Sequence, residues 1–152
     1  MKILLVEDDQ FKARRLEKLL KSFDQTAQVE WTHSVTSSTQ ALERAPRDLV
    51  VLDMSLPTFD VGPRESGGKP QGFGGREVMR FMLHNDIETP VIIVTQFEKF
   101  GEAGKETDLP TLADSLRTEF PALFRGVVYY DAASEKWRDE LRRLFAAESR
   151  QE

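Results

Sequence analysis

The sequence predicts an α/β fold: a doubly wound, five-stranded parallel sheet in the order 2-1-3-4-5 with helices on both faces. Three observations predict it. Four short apolar runs, at residues 3–6, 49–52, 91–94 and 127–130, lack strict alternation, as strands buried on both faces do. Amphipathic helical patterns separate the runs, and that alternation calls for right-handed crossovers. Acidic residues follow the first run and end the second, which puts them at the carboxyl edge, where such sheets bind ligands.

The elements follow in order. The first helix is expected from about Asp9 to Phe23, with Asp9 as its cap and Phe11, Leu16, Leu19, Leu20 and Phe23 roughly on one face. Residues 28–32 form a weaker, more polar strand candidate that suits a sheet edge. A second helix is expected after Ser37, where Ser37 and Gln40 have capping-box spacing, with Ala41 and Leu42 inward. The third covers about 75–83 and carries Val78, Phe81 and Met82. The fourth begins near Asp108, a plausible cap, and repeats Leu112, Leu116 and Phe120 every four residues. The last follows Ser134 and presents Trp137, Leu141, Leu144 and Phe145. Two glycine-containing segments, about 58–75 and 97–107, read as long irregular loops.

With 152 residues and 39% hydrophobic content, the chain is expected to form one domain over 1–152 with a substantial core. A formal charge of -5 argues against nucleic acid bound through a basic face. The absence of cysteine excludes disulfides, thiolate metal sites and cysteine nucleophiles. No apolar run has the length of a membrane span, and the N-terminus lacks the pattern of a signal peptide, so the expected compartment is the cytoplasm.

Glu7, Asp8 and Asp9 follow the first strand, and Asp53 ends the third. In a sheet whose order reverses after its first strand, Glu7 or Asp8 and Asp53 converge at the switch point. Carboxylates about 4–5 Å apart repel by several kcal/mol at an effective dielectric near 20. They persist together when one is protonated or a cation sits among them. An all-oxygen donor set suits a hard ion, and Mg²⁺ is the usual one where phosphate is handled. Asp53 is then a candidate nucleophile toward phosphorus, and the Thr95 hydroxyl, ending the fourth strand, a candidate donor to a phosphoryl oxygen. An acid after a strand is also commonly a helix N-cap, the role expected of Asp9; matched acids at two strand ends favour a site.

These residues resemble the receiver domains of bacterial two-component response regulators, which have a flavodoxin-like fold. The resemblance rests on Ile-Leu-Leu-Val-Glu-Asp-Asp at 3–9, Leu-Val-Val-Leu-Asp-Met-Ser-Leu-Pro at 49–57 and Pro-Val-Ile-Ile-Val-Thr at 90–95. Gly-Val-Val-Tyr-Tyr-Asp-Ala-Ala-Ser at 126–134 is similar to the fifth strand and the start of the last helix. The resemblance implies that Glu7 and Asp8 are the acidic metal pair, Asp53 the phosphoacceptor, Ser55 the metal ligand through its backbone carbonyl, and Thr95 the switch hydroxyl. Three departures stand out. The family's lysine after the fifth strand falls on Tyr130, whose neutral phenol cannot replace the charge. Gln96 follows the threonine where the family has a small residue, and the segments flanking the site are long. Lys69, Arg76, Lys99 or Lys105 are the loop cations weighed as substitutes, although a solvated loop charge is the commoner fate. The aromatic switch position of the family falls near Val127, with Tyr129 open to an ordinary core role.

The resemblance implies a single-domain receiver in a phosphorelay, not an enzyme beyond self-phosphorylation and dephosphorylation at Asp53. Its implied partners are a histidine kinase or phosphotransfer protein and a downstream protein met through the helix 4–strand 5–helix 5 face; a homodimer is compatible with it. A pseudo-receiver, an interaction module not switched by phosphate, is the alternative reading, favoured by Tyr130 and Gln96. An Mg²⁺-dependent phosphohydrolase or toprim-like enzyme is more distant, because Asp53-Met54-Ser55 lacks the second acid of a D-x-D motif. Phe59, Phe73, Phe97 and Phe100 are loop aromatics suited either to anchoring a partner or to folding onto the core.

Overall fold

The computed structural model describes residues 1–60, 74–96 and 107–149, together with the backbone of 99–100. Five strands, β1 (Lys2–Val6), β2 (Gln28–Thr32), β3 (Leu49–Leu52), β4 (Val91–Thr95) and β7 (Phe124–Tyr129), form one sheet in the order β2-β1-β3-β4-β7. All its pairings are parallel, and β2 lies at an edge. In chain order its five strands run 2-1-3-4-5, as predicted. A two-residue antiparallel pair, β5 (Lys99–Phe100) with β6 (Thr107–Asp108), makes a separate small ladder that the sequence reading did not anticipate.

The helices are α1 (Gln10–Phe23), α2 (Val35–Arg44), α3 (Gly74–His84), α4 (Leu109–Glu119) and α5 (Lys136–Ser149). Alternate strand residues feed two cores. Ile3, Leu5, Val51 and Ile92 pack with α1 and α5, through Leu16, Leu20, Leu141 and Phe145. Leu4, Val6, Leu52 and Ile93 pack with α2, α3 and α4, through Leu42, Met82 and Leu116. The sheet is thus covered on both faces, which is why its strands read as unbroken apolar runs.

Several expectations need correction. Phe11 is 77% exposed, while Lys12, Ala13, Leu16 and Leu20 form the buried side of α1. At about 100° per residue, positions 12, 16, 20 and 23 share a stripe that excludes 11. The cap of α2 is Ser34 rather than Ser37: Ser34 Oγ accepts from Ser37 N at 3.1 Å, and Ser37 Oγ accepts from Ser34 N at 3.2 Å. A serine in the third helical position can close the same reciprocal box that a glutamine closes. Strand β7 starts three residues before the apolar run that announced it, and Tyr130 lies just past its end. By contrast, Asp9 and Asp108 cap α1 and α4 as expected. Most of the expected loops, residues 61–73, 97–98 and 101–106, lies outside the described residues, and with it Phe73, Phe97, Lys69, Lys105 and the side chains of Phe100 and Lys99. Phe59 is exposed, and so is Tyr129, which is not core.

Candidate functional site

Parallel pairing of β1 with β3 sets Val6 beside Leu52, so the residues that follow each strand leave the sheet side by side. The ladder continues one step beyond the strands, with Asp53 N donating to the Val6 carbonyl at 2.9 Å. One carboxylate oxygen each from Glu7, Asp8 and Asp53 lies within 4.8 Å of the others. Glu7 and Asp53 are buried, and Asp8 faces solvent.

Local bonds hold each acid in place. Glu7 N donates to the Thr32 carbonyl at 3.0 Å, and Trp31 Nε1 donates to the Glu7 carbonyl at 2.7 Å, which ties the turn after β1 to the edge strand. Asp9 N donates to Glu7 Oε1 at 3.0 Å. Ser55 N approaches Asp53 Oδ1 at 3.4 Å, a long contact. The first turn of α3 abuts the segment after β3, where Gly75 N donates to the Met54 carbonyl at 2.8 Å. A Cβ on Gly75 would stand 2.6 Å from the Asp53 carbonyl oxygen, so only glycine permits this approach. Thr95 is buried at the end of β4, and its carbonyl accepts from Tyr130 N at 2.8 Å.

The cation of the site is one that the sequence reading missed. Lys12, only 2% exposed, projects from the first turn of α1 into the acidic cluster. Its Nζ lies 2.5 Å from Glu7 Oε2 and 3.5 Å from Asp53 Oδ2. These are ion pairs without hydrogen-bond alignment, since neither buried oxygen has a hydrogen-bond partner. The ammonium donates instead to the Val94 carbonyl at 2.9 Å and to Gln96 Oε1 at 2.7 Å. Gln96 is thus occupied in seating a cation.

Tyr130 has a different occupation. Its ring packs on Trp137 with centroids 4.7 Å apart, and its hydroxyl accepts from Arg15 Nη1 at 3.3 Å. Lys12 Nζ stands 5.7 Å from the ring centroid, so Tyr130 forms a wall beside the ammonium. Among the loop cations weighed from sequence, Arg76 reaches toward α4, where it pairs with Glu119 at 3.2 Å and donates to Ser115 at 3.1 Å. The signal for Lys12 was present in the helical period: it is the charged member of a stripe otherwise made of Leu16, Leu20 and Phe23.

Burial, then the negative charge of Asp53, pushes the Glu7 carboxyl up to about 9 against the opposing pull of Lys12. Burial likewise raises Asp53, again with Lys12 opposing. A divalent cation would displace the Glu7 proton, and the three carboxylates and one ammonium would then carry a formal charge of -2, which that ion balances. The donor set is all oxygen, two buried carboxylate oxygens lack hydrogen-bond partners, and exposed Asp8 opens the cluster to solvent. The residues fit a hard ion.

No protein-family model matches the chain. It is 33% identical over 143 residues to the Detocs response regulatory protein DtcB of Enterobacter cloacae (strain JD6301), covering 93% of this chain and 95% of that protein. Among solved structures, it resembles the signal receiver domain of an HD domain-containing protein from Pseudomonas fluorescens Pf-5, with a TM-score of 0.64 and 18% identity over 99% of this chain and 94% of that one. It also resembles the RcsB response regulator of Salmonella typhimurium, with a TM-score of 0.68 and 14% identity, and spans 60% of that longer chain. Together with the fold and the carboxylates at its sheet edge, the similarity to DtcB establishes that the chain belongs to the response regulator family.

Proposed function

We propose that this chain is a single-domain receiver that signals by accepting a phosphoryl group on Asp53. Glu7, Asp8 and Asp53, with the Ser55 carbonyl, would hold Mg²⁺. Bound there, the ion supplies neutralisation of charge on the phosphoryl oxygens. The observation that carries the reading is the meeting of these carboxylates, from two strands not adjacent in sequence, at the edge where a parallel sheet binds ligands.

With acetyl phosphate as donor, an Asp53 oxygen forms a bond to phosphorus while the bond from phosphorus to the bridging oxygen breaks. Acetate leaves with that electron pair, and no proton needs to move. A histidine kinase or phosphotransfer protein is the expected physiological donor. Thr95 would donate its hydroxyl to the new phosphoryl group, and output would pass to a protein partner through the face formed by α4, β7 and α5, where Tyr129 is exposed. No helix among the described residues is long and apolar enough to cross a membrane.

A second reading, the pseudo-receiver, has one observation in its favour. Lys12 already sits between Glu7 and Asp53 and offsets the charge of Asp53 without a metal. One experiment separates the two. Incubation with Mg²⁺ and acetyl phosphate should add one phosphoryl mass to the intact chain, and EDTA or Asp53→Asn should abolish it. A folded wild-type protein that gains no mass is a pseudo-receiver.

A further inference from the structure

We infer that Lys12, reaching in from α1, is the residue that contacts the phosphoryl group on Asp53, in place of a lysine after the fifth strand. The inference rests on the reading of Asp53 as phosphoacceptor, and it assigns the cation that this chemistry requires. Phosphorylation adds a negative charge in a site where Asp53 is only 1% exposed, so solvent cannot neutralise it. A second positive charge beside the metal is needed, and it must lie within contact distance of the acceptor carboxylate.

Lys12 meets that requirement. Its ammonium stands 3.5 Å from Asp53 Oδ2, held by the Val94 carbonyl on β4, the strand next to β3, and by Gln96 Oε1 just past the end of β4. Core packing alone does not account for a lysine here. It occupies the first turn of a helix, where the backbone dipole disfavours a cation, and it is buried among apolar residues of α1. The carboxylates it faces, together with the Val94 carbonyl and Gln96 Oε1, offset those costs. The residue after β7 offers no charge, because the Tyr130 ring is committed to Trp137 and its hydroxyl to Arg15. Gln96, a bulky residue beside the site, also finds its reason, since its amide oxygen seats the ammonium.

The site therefore has its cation on α1 rather than in the loop before α5. Transfer occurs as written above: the Asp53–phosphorus bond forms, acetate departs, and Lys12 turns from Glu7 toward a phosphoryl oxygen without giving up a proton.

The test uses the full chain with Mg²⁺ in three forms: wild type, Lys12→Met, and Lys12→Met with Tyr130→Lys. Two quantities are read: the rate of phosphoryl loading from acetyl phosphate, by intact mass, and the affinity for beryllofluoride, by intrinsic fluorescence. Trp31, bonded to the Glu7 carbonyl, and Trp137, against Tyr130, are the reporters. Lys12→Met should lower both by about tenfold or more, roughly 1.4 kcal/mol. Tyr130→Lys returns a charge from a wall 5.7 Å away and should recover much of the loss. Lys12→Gln, which keeps a hydrogen-bond donor but no charge, serves if Lys12→Met does not fold, and should be equally impaired. A folded neutral variant that loads phosphate and binds beryllofluoride like wild type overturns the assignment. A wild type that does not load at all instead overturns the phosphoacceptor reading itself, and the two failures are thereby told apart.

Discussion

Replacing Lys12 with methionine keeps most of the side-chain volume and deletes the charge, so its effect on stability can be worked from the geometry. At 3.5 Å the attraction between Lys12 and Asp53 is about 5 kcal/mol at an effective dielectric near 20. Both side chains are buried, so solvent screening does little to reduce it. Removing one partner of a buried pair typically costs about 3–5 kcal/mol, because the remaining charge is left uncompensated. Two effects work the other way. Methionine removes a cation from the positive end of a helix, a gain of about 0.3–1 kcal/mol. Glu7, already raised to about 9, stays protonated at neutral pH and adds no second naked charge. A net loss of about 3 kcal/mol follows for the metal-free protein, or a fall in Tm of roughly 10 °C for a domain of this size. Urea titrations of both proteins in EDTA, with m-values compared to verify two-state unfolding, measure it. Repeating them with excess Mg²⁺ should shrink the difference, since a divalent ion binds more tightly once the competing ammonium is gone. A loss below about 1 kcal/mol in EDTA, or one that Mg²⁺ leaves unchanged, would refute the idea that Lys12 offsets the charge of this cluster.

Two further predictions concern the same site. Gly75→Ala should cost about 2 kcal/mol or more and weaken stabilisation by Mg²⁺, because its Cβ would lie 2.6 Å from the Asp53 carbonyl oxygen and 2.9 Å from Met54 Cα, backbone atoms with little room to yield. A fully stable variant in urea titration would mean that α3 does not brace the Asp53 turn. The second concerns protons. Between the ordinary carboxyl value of 4.5 and about 9, folded Glu7 holds a proton that the unfolded chain has lost. Metal-free stability should therefore fall as pH rises through that window. Mg²⁺ must displace this proton, so its affinity should rise with pH up to about 9, with close to one proton released per ion below that point. Calorimetry in two buffers of unequal ionisation enthalpy counts the proton, and Asp8→Ala should weaken the binding; pH-independent binding, or an unaffected Asp8→Ala, would remove Glu7 or Asp8 from the ligand set.

The arrangement of elements was legible in the chain because its signals are local. Apolar runs too short for helices, separated by stripes of period 3.6, state which segments are strands and which are helices. The reversal of order after β1 follows from the doubly wound topology, and with it the meeting of Glu7 and Asp8 with Asp53. The cap of α2 was less legible, since Ser34 and Ser37 stand in equivalent local contexts and only the turn geometry chooses between them.

The amino-acid order alone determined the strand and helix pattern and the convergence of acids at one edge. Only the tertiary structure decided which positive charge meets those acids. Lys12 looks like an ordinary surface lysine until α1 docks with Leu16 and Leu20 against the sheet, which turns the ammonium inward over β3 and β4. The physical reason is rotational: with α1 turned by about 100° on its axis, Lys12 would stand where exposed Phe11 does, in water, and the actual angle is set by packing against α5 and the strands, contacts made by residues far away along the chain.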